Sequence, residues 1–222
     1  MPKHSPTHPT PDRTQLEQWL ADGVGRMGLA LTPAQTGKFL TYLELLQRWG
    51  SKINLTASLD PQTLIDRHFC DSLALWTATA PATDDSLLDV GAGAGFPGVP
   101  LKIFAPSISL TLLEPRQKRA AFLQVLVAEL GLTASRVATA RLADLSTSEP
   151  HTWIVARGVG RLVQFVDQAV PHLISSGTIA LYLSERQSTD ELRRRNDVHA
   201  TEHDYRLPFS QIERRLLLLR RT

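Results

Sequence analysis

The sequence predicts an α/β protein, a mostly parallel sheet closed by an antiparallel hairpin at its carboxyl terminus and preceded by a cap of helices. Three observations carry this expectation. The apolar run Leu87-Leu88-Asp89-Val90, which contains one acid, passes directly into glycines at 91, 93, 95 and 98. From there to Leu183, short apolar runs alternate with segments of helical spacing, the pattern of β-α-β units with right-handed crossovers. The stretch before residue 81 carries helical periodicity only.

Residues 1–12 contain four prolines, two histidines (His4 and His8) and no apolar core former, so they are expected to be a disordered tail. Order is expected from Arg13, where Leu16, Trp19 and Leu20 fall on one helical face. Thr32-Pro33-Ala34-Gln35 reads as a helix start, with Thr as N-cap, Pro at the first position and Gln reaching back. That helix carries Phe39, Leu40, Leu43, Leu46 and Trp49, and Gly50 ends it. Asp60-Pro61 opens another helix, running through Leu64, Ile65 and His68. Residues 13–80 thus form the helical cap, and residues 81–222 a cofactor-binding domain.

In that domain Leu87–Val90 reads as a buried parallel strand leaving its sheet through a loop that approaches a ligand closely. Glycines at 91, 93 and 95 remove side chains that would hold a cofactor away, and they permit positive φ. Pro97 suits the first turn of a helix to Phe104. Strand Ser109–Glu114 ends in an acid 25 positions on from Asp89, where a carboxylate can accept both ribose hydroxyls of an adenosine. Helix Arg116–Leu130 presents Phe122, Leu123, Leu126, Val127 and Leu130 on one face. A strand from Arg136 to Ala140 leads to Leu142-Ala143-Asp144, and strand Thr152–Arg157 follows. Helix Leu162–Leu173, with Pro171 near its end, precedes strand Thr178–Leu183. His199–Arg206 and Gln211–Arg220 alternate as two hairpin strands.

Composition narrows the function. At 222 residues with 42% hydrophobic and 21% charged, the chain has the make-up of an ordinary soluble protein. The longest aliphatic run, Leu216–Leu219, is far short of a membrane span, and a single cysteine, Cys70, excludes an internal disulfide and suits a reducing cytosol. Seven scattered histidines lack ligand spacing, so no metal site is expected. A net charge of +2 does not announce a nucleic-acid binder, so any such role must come from local clusters.

Two cofactors fit the glycine loop. Gly93-Ala94-Gly95-Phe96-Pro97-Gly98 matches the dinucleotide pattern of NAD enzymes, a weak signal alone. The fuller frame, Asp89-x-Gly91-x-Gly93-x-Gly95, resembles the first motif of class I (Rossmann-like) methyltransferases, in which the loop holds the methionine end of S-adenosyl-L-methionine (AdoMet). Two strings in the cap bear on the choice. In Lys52-Ile53-Asn54-Leu55-Thr56, read by itself, Asn54 and Thr56 bond nearby backbone. In His68-Phe69-Cys70-Asp71-Ser72-Leu73, His68 and Asp71 are one turn apart and read as an internal pair or cap, and Cys70 as a small buried hydrophobe. Taken with the Asp89 loop, these strings resemble the RsmG (GidB) family of bacterial small-subunit ribosomal RNA methyltransferases, over roughly Leu40 to Leu183.

The resemblance implies N7-methylguanosine as product in 16S rRNA, with S-adenosyl-L-homocysteine released. By position it places cofactor contacts at Gly91 and Phe96, at Glu114, Pro115 and Arg116, at Leu142 and Ala143, and at Arg157; the glycine-loop frame itself adds Asp89, Gly93 and Gly95. Two positions depart from the family pattern. Ala143 stands where members often have an acid, and Leu181-Tyr182-Leu183-Ser184 where they usually carry Lys-Gly.

The chemistry agrees with a ring nitrogen. The string after the fourth strand, Ile154-Val155-Ala156-Arg157-Gly158, does not resemble the Asn/Asp-Pro-Pro-aromatic motif of exocyclic-amine methyltransferases. Carbon-5 methylation needs a cysteine thiolate at the site, whereas Cys70 lies in the cap. Guanine N7 already has a free lone pair and needs no general base, so catalysis by positioning is expected and Arg157 is the only catalytic candidate. Its alternatives are a salt bridge to Asp89 or Asp144, or a cofactor or phosphate contact. Lys118 and Arg119, with Arg116, crowd a helix start where the macrodipole disfavours cations. They form either a solvated turn or an RNA phosphate footprint joined by Arg136, Arg141 and Arg161. The partner expected is the small ribosomal subunit or its rRNA, its target guanosine unpaired or extruded, and the protein a cytosolic monomer. A nicotinamide oxidoreductase and a non-catalytic ribosome-binding factor remain as rivals.

Overall fold

The computed structural model describes residues 11–79, 81–82, 85–184 and 187–222, so nearly all of the expected tail lies outside the described residues. Seven strands form one sheet: β1 (Ser86–Val90), β2 (Ser109–Leu113), β3 (Ser135–Ala138), β4 (His151–Arg157), β5 (Leu173–Leu183), β6 (Val198–Arg206) and β7 (Glu213–Arg221). Their order is β3-β2-β1-β4-β5-β7-β6. β1 to β5 are parallel, β7 runs antiparallel to β5, and β6 pairs antiparallel with β7. The chain steps outward from β1 to β3 and then returns to lay β4 on the other side of β1. That reversal creates the crevice in which open α/β sheets bind ligands.

Alternation along the strands divides the core between two faces. Leu87, Val155, Ala180, Leu216 and Leu218 pack on the face carrying the cap, and Leu88, Ile154, Ile179, Leu217 and Leu219 on the other. The four successive leucines of β7 are all buried because the strand lies between β5 and β6 with both faces covered. On the first face sit α1 (Arg13–Arg26), α2 (Pro33–Gly50), α3 (Pro61–Leu64), α4 (Asp71–Ala78), α5 (Gly98–Phe104) and α6 (Gln117–Glu129). α7 (Leu162–Ala169) and the short α8 (Asp190–Arg193) cover the second. The Thr32–Gln35 capping box forms as its residue types require.

Two stretches differ from expectation. The helix opened by Asp60, whose carboxylate accepts from Thr63 N at 2.8 Å, widens into a π-helical turn at Ile65–Cys70 before narrowing into α4. Farther on, Pro171 ends the helical segment in a 3₁₀ turn, and β5 begins at Leu173 rather than Thr178. Ser175 and Ser176 are exposed and offer no apolar alternation to read; pairing of Leu173 with His151 across an irregularity extends the strand.

Candidate active site

The glycine loop hangs from the end of β2. The amides of Gly91 and Ala92 both donate to Leu113 O, at 2.8 and 3.1 Å. Gly91, Gly93 and Gly95 have φ of 73°, 60° and 100°, a region other residues enter at a cost. They do different work, however. A Cβ on exposed Gly91 would meet nothing within 4 Å, so open space adjoins the backbone there. A Cβ on buried Gly95 would lie 2.6 Å from Tyr42 Oη and 2.9 Å from Val99 Cγ2. Gly95 therefore has to be glycine for packing against the cap. Asp89 sits beneath the same loop. It is wholly buried, its Oδ2 accepts from Gly98 N at 2.8 Å, and it braces the loop from beneath. Burial holds its carboxyl up at about 7.

Glu114, following β2, fastens the other side. Its Oε2 accepts from Gly93 N at 3.0 Å and its Oε1 from Arg116 N at 2.9 Å, tying the loop to the start of α6. A carboxylate offers roughly four lone-pair sites, so two remain for ribose hydroxyls. Pro115, Arg116 and Ala143 are exposed, whereas Leu142 is packed in the core.

Phe96 closes the loop against the cap. It stacks on Tyr42 at 5.3 Å and on His68 at 4.7 Å, and the Arg157 guanidinium lies 5.1 Å from its ring centre. Tyr42 Oη also donates to Ala94 O at 2.6 Å. Arg157, at the end of β4, pairs with neither Asp89 nor Asp144, the partners suggested by sequence. Its Nη1 donates to Asp71 Oδ2 at 3.1 Å and to Arg67 O at 3.2 Å, and its Nη2 contacts His68 Nδ1 at 2.8 Å. His68 and Asp71, expected to pair with each other, meet instead through this arginine. Asp71 Oδ1 accepts a hydrogen bond from the Tyr205 hydroxyl at 2.7 Å and lies 3.7 Å from Arg214. Tyr42, Arg67, Tyr205 and Arg214 escape sequence reading. Tyr42 gives one signal, falling three residues after Phe39 on the buried face of α2; the others give none.

Beside this network opens a cleft of about 370 Å³, lined in part by His68, Asp71, Arg157, Tyr182 and Arg214. Burial, then the charges of Arg157, Arg67 and Arg214, push the His68 imidazole down to about 3. The Cys70 thiol is buried and pushed up by desolvation and by Asp66 and Asp71, so it supplies no thiolate.

The basic residues separate. Arg116 and Lys118 follow β2, Arg141 follows β3 and Arg161 follows β4, all exposed at the carboxyl ends of the strands. Arg119 Nη2 donates to Asn54 O at 2.8 Å and so ties α6 to the Lys52–Thr56 loop. Arg136 sits near the amino end of β3, where it bonds Thr111 Oγ1 at 2.9 Å and Glu149 at 2.7 Å. In a parallel sheet that is the end away from Arg116, Lys118, Arg141 and Arg161, so the structure does not bring Arg136 together with them. Among the described residues no three His, Cys, Asp or Glu side chains gather where they could hold a metal, and no helix is long and apolar enough to cross a membrane.

A family model described as rRNA small subunit methyltransferase G matches residues 35–218. The chain belongs to that family. A ribosomal RNA small subunit methyltransferase G from Alkalilimnicola ehrlichii is 39% identical over 174 residues, 78% of this chain and 77% of that protein. One from Burkholderia vietnamiensis is 35% identical over 215 residues, 94% of each. The fold is shared more widely. TrmN from Thermus thermophilus superposes with a TM-score of 0.56 at 15% identity, over 71% of this chain and 53% of that one. M. jannaschii TYW2 in complex with AdoMet gives 0.52 at 14%, over 64% and 70%. As a methyltransferase G with a class I methyltransferase sheet, the protein is an rRNA methyltransferase, and the nicotinamide oxidoreductase that the glycine loop alone admitted falls away.

Proposed function

We propose that this methyltransferase G moves a methyl group from AdoMet to N7 of a guanosine in 16S rRNA, releasing S-adenosyl-L-homocysteine without a metal. The observation that carries the reading is the open, side-chain-free space at Gly91, on a loop fastened through Gly93 to the Glu114 carboxylate. Gly91 and Gly93 would admit the methionine end against bare backbone, Glu114 would accept the ribose hydroxyls, and Ala143 would lie beside the adenine. The cofactor supplies an electrophilic methyl group on a sulfonium.

The chain's own work is to bind, orient and exclude water. Guanine N7 has its lone pair free, so no side chain need remove a proton, and holding the base in line supplies the rate. That agrees with a site whose nearest imidazole stays uncharged and whose cysteine is inert. Arg116, Lys118, Arg141 and Arg161 would meet RNA phosphates around the rim. In this reading the enzyme acts as a cytosolic monomer on the small ribosomal subunit or its rRNA.

The test incubates the protein with methyl-labelled AdoMet and small subunits from a strain lacking its gene, then maps label by chain cleavage at N7-methylguanosine. Label at a guanosine N7 is expected. Binding without any label would leave a non-catalytic subunit-binding factor, and label on another atom would remove the N7 assignment.

A further inference from the structure

The cleft beside Phe96 lies over the ends of β4 and β5, across the crevice from Glu114. With the adenosine side assigned to β1 and β2, this half is left for the acceptor. His68 is the constrained group within it. Its Nδ1 lies 2.8 Å from Arg157 Nη2. An arginine has donors only, so His68 Nδ1 must be the acceptor in that contact. The uncharged ring must then carry its one proton on Nε2. Asp71 grips Arg157, and Phe96 backs the ring at 4.7 Å with planes inclined by 23°, so tautomer and orientation are both fixed. Among the described residues nothing accepts from Nε2, and Nε2 is not among the buried, unpartnered atoms. The cleft therefore contains a fixed, uncharged donor with nothing yet to donate to.

We propose that His68 selects the target base, its Nε2–H donating to O6 of a guanine seated in this cleft. The proposal rests on the N7-guanosine reading above. Guanine presents an O6 acceptor beside N7, where adenine presents an amino donor, so an adenine here would set donor against donor. A single donor on O6 also leaves the N7 lone pair free, whereas a bidentate arginine would occupy it. Being uncharged, His68 adds no positive charge beside a ring that becomes cationic when methylated.

The test uses the full chain with His68→Phe, which keeps a flat ring against Phe96 without the donor, and His68→Gln, which restores an N–H at similar reach. Methyl transfer to unmodified small subunits and AdoMet binding by calorimetry are both measured. In the Phe variant kcat/KM is expected to fall about tenfold to a hundredfold, the effect of an unmet polar group, with recovery to within about fivefold in the Gln variant. The AdoMet Kd is expected to stay within about twofold, since no bond to the cofactor is removed. Wild-type activity in the Phe variant, equal loss in both, or a rise in AdoMet Kd large enough to explain the loss would each overturn the proposal. Failure of the wild-type protein to label any guanosine N7 overturns instead the reading on which it rests.

Discussion

Arg157 and Asp71 lie 86 residues apart in the chain, yet the Arg157 Nη1 donates to Asp71 Oδ2 across 3.1 Å and joins the end of β4 to the start of α4. Asp71 is 4% exposed and Arg157 23%, so water does little to screen the pair. Asp71→Ala strips the guanidinium of its counter-charge and the Tyr205 hydroxyl of its acceptor. Removing one member of such a pair costs on the order of 3 kcal/mol, which urea unfolding would register as a lower midpoint. An unchanged midpoint would mean that the pair contributes nothing to stability.

Gly91 and Gly95 should respond differently to the same added methyl group. At Gly91 alanine meets open space. Only the left-handed backbone resists there, so a loss of about 1 kcal/mol in stability is expected, together with weaker AdoMet binding. At Gly95 alanine meets the Tyr42 hydroxyl and Val99. Destabilisation of about 3 kcal/mol is expected from that overpacking. Paired unfolding and calorimetric titrations separate the two; equal stabilities would refute the distinction drawn between them.

Glu114→Ala removes the acceptor shared by Gly93 N and Arg116 N, and with it the carboxylate assigned to the ribose. AdoMet affinity is expected to weaken by roughly 1–3 kcal/mol, the range for unmade hydrogen bonds to a charged group. A Kd equal to wild type in calorimetry would show the ribose to be held elsewhere.

Asp89 and His68 give stability opposite dependences on pH. With its carboxyl held up at about 7, folded Asp89 retains a proton that the unfolded chain has already released. Its contribution favours folding at acid pH and is lost as pH rises from about 4 to about 7. His68 does the reverse: held down at about 3, it stays neutral while the unfolded chain takes up a proton. Its contribution is therefore present above about 6.5 and lost as pH falls. The two effects partly cancel in the wild-type protein. Between pH 5 and 7 Asp89→Asn should gain on the order of 2 kcal/mol relative to wild type, and His68→Phe should lose a similar amount. Unfolding curves for all three proteins at both pH values test this; differences that stay constant with pH would refute it.

The sheet and its glycine loop were legible in the residues themselves. A buried strand, a turn that only glycine enters cheaply, and a capping box each close their interactions within a few residues, so spacing and residue type are enough to specify them. The order of apolar runs likewise implied a mostly parallel sheet with a terminal hairpin. Who meets whom across long separations was settled only by packing in three dimensions. Asp71 rather than Asp89 or Asp144 received Arg157, Gly95 came to lie against Tyr42, and Arg136 fell at the opposite end of the strands from the other cations. A π-helical turn, which leaves no periodic signature, holds His68, and both His68 and Asp71 of the helix that follows meet one arginine. Such partnerships depend on how helices settle over the sheet, which is packing summed over the whole chain, and local spacing does not encode it.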